Sequence, residues 1–283
     1  MAAVSRAGTR TGTPQRSRLS STQLRSNMVI GRTLGTAGGP GLPCDADTSA
    51  TAILTAHRLG GKGPGVAPLR HYETGTHFVT WAGERTPSTS TNAHVLDCLA
   101  QVDGDPAEEL WRRQAMRTVS TWLCDHQRDD GTWADKWHAS PLYATAAAAG
   151  ALRRCGGRGA PAAVARSITW LIDCQRGNGS WGVWGGTAEE TAYALQLIVP
   201  VLSGRGVHGV PRHQLLESAA RGLRFLRART LRRHIPEHPP LWHDKDLYTP
   251  SAVVDAAVVG ALHLAESHPA VARAAGTATG SRT

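Results

Sequence analysis

Two copies of one pattern decide the fold of this chain: WLCDHQRDDGTW at residues 122–133 and WLIDCQRGNGSW at residues 170–181. The second copy starts 48 residues after the first, and the Trp-Leu, Gln, Gly and Trp positions keep the same spacing in both. A repeat of this length is typical of architectures that stack one supersecondary unit on the next. Because a single unit cannot bury its apolar face alone, the repeat predicts a series of packed units.

Each copy is predicted to join one helix to the next. Gln175 follows a helical segment, where its side-chain amide can bond carbonyl groups that the helix end leaves free. Gly179 permits a tight turn, and Trp181 can pack over that turn against a neighbouring helix. The favoured interpretation is structural, with the motif joining helix pairs and taking no part in chemistry. The alternative is that these tryptophans line a substrate cavity.

Helical patterning dominates the chain from Asp45 onward. Apolar residues recur at three- and four-residue spacing, as in Ala52, Ala56 and Leu59. Strand signals are nearly absent, and residues 63–87, rich in Gly, Pro, Thr and His, are predicted to form a long loop. Helices are predicted at residues 45–59, 88–102, 106–126, 140–154, 160–175, 187–202, 211–230 and 249–266.

A weaker third copy extends the repeat. The run WADK at residues 133–136 returns as WHDK at residues 242–245, so the repeat is predicted to continue to about residue 266. Alternating helices joined by such turns predict an all-α fold, an α/α toroid over residues 41–266 in which outer helices surround inner ones. The predicted helices are too few to close such a ring, and an incomplete toroid is expected.

The net charge of +9 is concentrated near the N-terminus. Residues 1–44 contain six arginines and no acidic residue, whereas the remaining 239 residues contain 25 basic and 22 acidic ones. Residues 1–40 are predicted to be a disordered basic tail, and residues 267–283 a second disordered tail. A nucleic-acid-binding arm, an organellar transit peptide and a misplaced start codon are alternatives for the first tail. We expect no nucleic-acid partner.

The composition indicates a globular protein without a stable membrane anchor. Hydrophobic residues make up 41% of the 283 residues, which is enough for a core. The sequence has no uninterrupted apolar run of about 18 residues, and it does not begin with the apolar segment of a secretory signal. Five scattered cysteines without a CxxC pair favour reduced thiols. These features predict a cytoplasmic location.

Asp45 and Asp47 lie at the predicted start of the first helix. Taken alone they are good capping residues, since aspartate suits both the N-cap and the first turn. The functional alternative is a strong acid facing a cavity. Protonation of an alkene needs a carboxyl group that keeps its proton until use. Two neighbouring carboxyl groups provide one, because the charge of the first opposes ionisation of the second.

An ordered set of motifs spans about residues 41–264. They are GLPCDADT at 41–48, GERTPSTSTNAH at 83–94, DKWHASP at 135–141, the two Gln–Gly–Trp units, GTAEET at 186–191 and WHDKDLY at 242–248. With this set the chain resembles the class II terpene cyclases, in particular the bacterial diterpene-type diphosphate synthases of the prenyltransferase and squalene-oxidase repeat superfamily. The repeat alone is moderately specific, whereas the full set is a strong signal.

The resemblance implies an isomerase that cyclises a linear prenyl diphosphate, with geranylgeranyl diphosphate as the expected substrate and a bicyclic diphosphate as the product. Asp47 corresponds to the middle acid of the family's Asp-x-Asp-Asp motif and is the expected proton donor, with Asp45 in its hydrogen-bond network. Thr48 departs from the motif, which has aspartate there. A threonine can hydrogen-bond its neighbour but supplies no charge, so weaker activity is expected.

Further site residues are expected around this acid. Asn92 and His94 follow a Ser/Thr-rich helix start. One interpretation is that they are polar groups of the cavity, close to the acid or to the deprotonating base. The alternative is that Asn92 is an ordinary capping residue and that His94 is a histidine with its hydrogen bonds satisfied. Aromatic faces stabilise carbocations through their quadrupoles. The aromatic candidates for the cavity are Trp137, Tyr143, Trp184 and Tyr248.

A prenyl diphosphate also needs cationic recognition, with Mg²⁺ bridging its oxygens. Lys136 and Lys245 recur at equivalent repeat positions, each just after an aspartate. They are the candidates for the diphosphate, and Arg85 is a third. The alternative for both lysines is a solvated Asp–Lys pair.

Several other classes of protein were compared with these features. A squalene- or hopene-type triterpene cyclase shares the repeat and the acid, but an aromatic content of 5% and the lysine pattern favour a diphosphate substrate. Protein prenyltransferase β-subunits need an Asp-x-Cys zinc element, which the sequence lacks. Class I terpene synthases need an Asp-rich metal motif, and Asp129-Asp130 lies in a turn of the repeat.

A non-catalytic fragment is the last alternative. Only 44 residues precede the acid, where the resembling cyclases have a further helical domain, so the chain is expected to lack that domain. Its apolar helix faces are then expected to be exposed and to favour association.

Overall fold

The computed structural model describes residues 36–37, 43–61, 65–103, 106–204, 206–230 and 239–276, and most of these are helical. The α-helices are α1 (Ala46–Arg58), α2 (Thr89–Gln101), α3 (Glu109–Asp125), α4 (Pro141–Cys155), α5 (Ala160–Asp173), α6 (Ala188–Ser203), α7 (Arg212–Thr230), α8 (Ser251–Glu266) and α9 (Pro269–Gly276). Short 3-10 helices span Ala67–Tyr72 and Pro106–Glu108. Two antiparallel strand pairs join β1 (Thr36–Ala37) to β2 (Cys44–Asp45) and β3 (Trp242–His243) to β4 (Leu247–Tyr248).

The predicted helices from residue 45 to residue 266 are all present, with ends within three residues of the prediction. Side chains fix several of these ends. Ser88, Ser140 and Thr187 are the N-caps of α2, α4 and α6, and each accepts a hydrogen bond from a backbone N–H of the first turn. Such caps satisfy donors that a helix start leaves unpaired, which is why Ser and Thr mark these boundaries in the sequence.

The C-terminal tail prediction is wrong over its first part. Residues 269–276 form α9 instead of a disordered segment, and its Val271 and Ala275 are buried against α7 and α8. The two side chains are four positions apart, so they share one face of the helix. This short amphipathic pattern in an alanine-rich stretch was overlooked. Residues 277–283 lie outside the described part of the chain.

Two other segments also differ from the predictions. The expected loop at 63–87 contains the 3-10 helix Ala67–Tyr72, which buries Leu69 and Tyr72. The expected basic tail at 1–40 lies outside the described residues, except that Thr36–Ala37 pairs with Cys44–Asp45.

The helices form two layers. α2, α4, α6 and α8 follow one another as an inner series, each packed on the next. α3, α5 and α7 lie outside, each against the inner helices before and after it. Helix α6 is buried along nearly its whole length because it contacts helices on several sides. This alternation is the arrangement that the α/α toroid prediction requires. In the described part of the chain, no helix is long and apolar enough to cross a bilayer.

The two Gln–Gly–Trp units make equivalent hydrogen bonds. Nε2 of Gln127 donates to the carbonyl of Gly131 in its own turn (2.9 Å) and to the carbonyl of Ala163 in α5 (2.9 Å). Gln175 repeats both bonds, to its own turn (2.9 Å) and to Ser218 in α7 (3.0 Å). Each glutamine therefore ties one turn to the next outer helix.

The tryptophans of these units are structural. Trp133 and Trp181 are both 0% exposed. Their Nε1 atoms donate at 2.8 Å to the carbonyls of Leu123 and Leu171, near the ends of the preceding helices. The turns need glycine, since Gly179 has φ of 87°. The structural interpretation is confirmed for these two tryptophans.

The third copy does not form this turn, so the prediction of an equivalent unit at 242–245 is wrong. Trp242 lies in β3, and its Nε1 donates to the carboxylate of Glu189 at 2.8 Å instead of to a helix-end carbonyl. Two residues before Trp242 stands Pro240, where the other copies have glycine. Proline fixes φ near −65° and cannot adopt the positive φ of that turn.

Candidate active site

Asp45 is the N-cap of α1. Its Oδ1 accepts the Thr48 N–H at 2.6 Å, and its backbone pairs with Thr36 across β1 and β2. Asp45 is only 5% exposed. Burial raises the pKa of Asp45 above its ordinary value, and the nearby Asp47 adds to this, against the hydrogen bond from Thr48. The capping interpretation holds for Asp45, and burial also helps it to keep a proton.

Asp47 lies in the first turn of α1 and contacts His94 of α2. Nδ1 of His94 hydrogen-bonds Oδ1 of Asp47, and both side chains are partly exposed. Burial of the ring opposes its charge, but the carboxylates of Asp47, Asp97 and Asp135 outweigh burial and raise the pKa of His94. The structure therefore places His94 beside Asp47.

A cavity of about 190 Å³ lies next to these acids. Both aspartates and Thr48 line it, together with Thr80, Ser90 of α2 and His243 of β3. Five aromatic residues complete the lining: Trp81, Trp137, Tyr143, Trp242 and Tyr248.

Four of these aromatic rings contact one another in two pairs, and together the five rings form an aromatic wall of the cavity. Trp81 and Trp137 meet edge to face, with ring centroids 5.5 Å apart. Tyr143 and Trp242 are 4.8 Å apart. Ring faces carry negative charge and attract cations. A wall of this kind beside a carboxyl group suits a reaction in which a proton is given up and a carbocation is formed.

Two predicted site residues are placed elsewhere. Trp184 is 63% exposed in the loop before α6 and does not line this cavity, so the prediction for it is wrong. Asn92 is fully buried. Its Oδ1 accepts the Phe78 N–H at 2.8 Å, and its Nδ2 donates to the carbonyls of Phe78 (2.9 Å) and Ser88 (2.8 Å). Both polar atoms of the Asn92 side chain bond backbone, as the structural alternative expects, and its catalytic role stays a prediction.

The predicted cations lie outside the described cavity. Nζ of Lys136 bonds the carboxylate of Glu84 and the Thr86 carbonyl, and it lies 4.9 Å from the centroid of the Trp137 ring. Lys136 is therefore paired with Glu84, whereas Asp135, its partner in the Asp–Lys alternative, accepts hydrogen bonds from residues 88–90 instead. Lys245 is exposed in the β3–β4 turn, and Arg85 is exposed beside Glu84. The two lysines do not occupy equivalent positions.

Sequence reasoning missed a buried cluster behind the aromatic wall. Glu189 of α6 is 0% exposed. It accepts hydrogen bonds from Nε1 of Trp242 (2.8 Å), the hydroxyl of Tyr193 (3.0 Å) and Nε2 of His138 (3.3 Å). The available signal was a pair of glutamates at the start of an otherwise apolar helix. Trp81 was also missed as a cavity residue, and nothing in its local sequence singles it out.

Comparisons with known proteins show which proteins this chain resembles. Residues 84–199 match the family model of the squalene-hopene cyclase C-terminal domain. The ent-copalyl diphosphate synthase of Streptomyces sp. (strain KO-3988) is 46% identical over 231 residues. The copalyl diphosphate synthase of Streptomyces anulatus is 40% identical over 233 residues. The chain is therefore similar to class II diterpene cyclases over most of its own length. The two alignments cover 81% and 80% of this chain but 42% and 40% of the relatives, so it spans less than half of their length.

Solved structures of class II cyclases share the fold. The ent-copalyl diphosphate synthase from Streptomyces platensis matches with a TM-score of 0.75 and 40% identity, over 86% of this chain and 45% of its own. The type II terpene cyclase MstE from Scytonema matches with a TM-score of 0.64 over 88% of this chain and 81% of its own. At 17% identity, that second likeness concerns the fold alone. The α/α toroid and the resemblance drawn from the motifs are both confirmed.

Proposed function

We propose that this chain carries the proton-donating site of a class II diterpene cyclase that converts geranylgeranyl diphosphate into a bicyclic diphosphate. The observation that carries the proposal is one cavity in which Asp45 and Asp47 face an aromatic wall, with His94 bonded to Asp47. Relatives named for copalyl diphosphate and labda-7,13-dienyl diphosphate support a substrate of this class. The five scattered cysteines, which form no CxxC pair, favour a cytoplasmic reaction.

Asp47 is the proposed acid. It gives its proton to a terminal double bond of the substrate, π electrons then close successive carbon–carbon bonds, and loss of one proton from the final carbocation forms the product alkene. One proton enters and one leaves, so the product is an isomer that keeps its diphosphate.

The surroundings of Asp47 favour this transfer in two ways. After transfer, His94 stabilises the carboxylate left on Asp47, while the aromatic faces stabilise the carbocation. Asp45, whose pKa burial raises, is placed to share a proton with the site.

Mg²⁺ is proposed only as a partner of the substrate diphosphate. Among the described residues, no group of three or more His, Cys, Asp or Glu side chains could hold a metal ion. These residues do not fit a resident metal site, and no step above uses a metal. Lys136, Lys245 and Arg85 remain proposed diphosphate contacts.

The cavity holds only part of a substrate. Its volume of about 190 Å³ is below the roughly 300–1,000 Å³ of typical ligand pockets. We therefore expect a twenty-carbon chain to need further walls, which sequence present in the longer relatives would supply. Exposed apolar side chains, including Leu59, Leu110 and Val259, are the proposed surfaces for association.

The test is turnover by the purified chain. The chain is incubated with geranylgeranyl diphosphate and Mg²⁺, dephosphorylated and analysed by mass spectrometry, with squalene as a second substrate. A cyclised alcohol is expected from the parent. Asp47→Asn should lower its yield by about 10²–10⁴-fold, the range for loss of a general acid. Asp173→Asn, at an exposed position at the end of α5, should change nothing.

Three outcomes would contradict the proposal. Undiminished product from Asp47→Asn removes the proposed acid. Cyclisation of squalene alone favours the triterpene alternative. Absence of any product from a folded chain favours the non-catalytic fragment.

A further inference from the structure

Behind the aromatic wall lies a carboxylate that the chemistry above does not use. Oε1 of Glu189 accepts three hydrogen bonds, whereas Oε2 is buried with no hydrogen-bond partner among the described residues. Burying a charged group is costly unless it is well bonded. A buried carboxylate with one unsatisfied oxygen therefore needs a reason.

Its neighbours keep Glu189 ionised. Burial favours the neutral acid, but the hydrogen bonds from His138, Trp242 and Tyr193 outweigh it and lower the pKa of Glu189. Nδ1 of His138 lies 3.1 Å from both the N–H and the carbonyl oxygen of Ser140, and these contacts hold the ring with Nε2 toward Glu189.

Trp242 carries the influence of this charge to the cavity. Its ring lines the cavity, and its N–H donates to Glu189 at 2.8 Å. Hydrogen-bonded groups polarise one another in a low-dielectric interior, so an indole that donates to an anion gains electron density on its ring face. A more negative face binds a cation more strongly. The same bond ties the β3–β4 hairpin to α6.

We infer that Glu189 is a positioning residue of the carbocation site: it holds the indole of Trp242 against the cavity and makes that face more attractive to a cation. The inference rests on the proposed function and deepens it. Glu190 provides a contrast in the same turn. It is equally buried, but it accepts the Val183 N–H (2.8 Å) and the Thr187 hydroxyl (2.8 Å), so it holds the loop before α6.

The test compares a cation with a neutral molecule of the same shape. Isothermal titration measures binding of a farnesyl-length tertiary amine, charged at neutral pH, and of the matching uncharged alcohol. Glu189→Gln should weaken binding of the amine about tenfold, the scale of one lost charge interaction across a partly screened interior, and leave the alcohol within about twofold. Glu190→Gln is the matched control and should preserve the preference for the amine.

Two more variants keep the test decisive. Glu189→Asp retains the charge and should keep more of the amine preference than Glu189→Gln. Trp242→Phe retains a ring but loses the N–H, and it should weaken amine binding even if Glu189→Gln does not fold. Thermal melts identify the folded variants.

The outcomes separate this inference from the proposed function. An unchanged amine-to-alcohol ratio in folded Glu189→Gln, an equal loss of both ligands, or a parent that does not prefer the amine would each overturn the inference. None of these measurements needs turnover. Failure of the Asp47→Asn test is therefore distinguishable from failure of this one.

Discussion

A hydrogen bond between Nδ1 of His94 and Oδ1 of Asp47 joins helix α2 to the first turn of α1. The imidazole of His94 therefore holds the carboxyl group of Asp47 in place. The pKa of His94 is raised, with burial outweighed by nearby carboxylates. A raised pKa contributes stability that is fully present below the unfolded value, about 6.5, and lost as pH rises through the folded value.

His94→Phe should therefore destabilise the chain mainly on the acid side. We expect a loss of about 1 kcal/mol near pH 6, a modest value because both side chains are partly exposed, and a smaller loss near pH 9. Urea unfolding at the two pH values measures it. His57→Phe, at an exposed position of α1, is the control. A loss that grows with pH would contradict the assignment.

Gly179→Ala should be strongly destabilising. Gly179 has φ of 87°, and a Cβ there would lie 2.6 Å from the carbonyl oxygen of Arg221. Backbone strain and the clash together should cost at least about 2 kcal/mol. Gly177→Ala, two residues away, meets no atom within 4 Å and should change stability by less than about 0.5 kcal/mol. Equal melting temperatures for the two variants would show that the turn tolerates a side chain.

Asn92→Ala should damage stability and leave chemistry intact. Three hydrogen bonds to buried backbone are lost, and we expect a cost of about 2–4 kcal/mol. Denaturant unfolding measures the cost, and turnover is normalised to the folded fraction. Gln114→Ala, at an exposed position of α3, is the control. A stable Asn92→Ala protein with greatly reduced turnover would support the catalytic interpretation.

The pH dependence of the stability of Lys136→Met should reveal the ion pair between Lys136 and Glu84. Burial acts to raise the pKa of Glu84, but Lys136 and the Thr80 N–H outweigh it and lower the pKa. A lowered carboxyl pKa contributes stability above the unfolded value, about 4.3, and the contribution is lost as pH falls through the folded value. We expect a loss of about 1 kcal/mol at neutral pH that disappears in acid.

Lys245→Met is the matched control for this pair and should show no such pH-dependent loss, because Lys245 is exposed. Titration with inorganic diphosphate gives the second readout. Weakened diphosphate binding in Lys136→Met with no change in stability would favour the substrate role over the ion pair.

The helices and the repeat turns could be predicted because their signals are local. Helix ends at Ser88, Ser140 and Thr187 depend on residues within one turn. The bonds of Gln127 and Gln175 to their own turns depend on four residues of sequence. Local hydrogen bonding and periodicity are what a sequence displays directly.

The rest of the site depends on contacts between distant positions. The motif resemblance located Asp47 and His94, but nothing local shows that Lys136 pairs with Glu84 or that Trp242 bonds Glu189. For Trp242 the sequence similarity was misleading. WHDK at residues 242–245 resembles WADK at residues 133–136, but the two runs do not form the same turn. Pro240 stands where the other copies have glycine, and proline cannot adopt the positive φ of their turns.

The glutamine bonds between successive units have an evolutionary consequence. Helix α5 presents an acceptor in its first half, the carbonyl of Ala163, and carries a donor just after its end, Gln175. A gene segment encoding one such unit supplies both an acceptor carbonyl for the glutamine of the preceding unit and a donor glutamine for the helix of the following unit. Duplication or deletion of a whole unit thus keeps the glutamine hydrogen bonds between neighbouring units. The number of helix pairs in such a fold can therefore change without a new kind of contact between units.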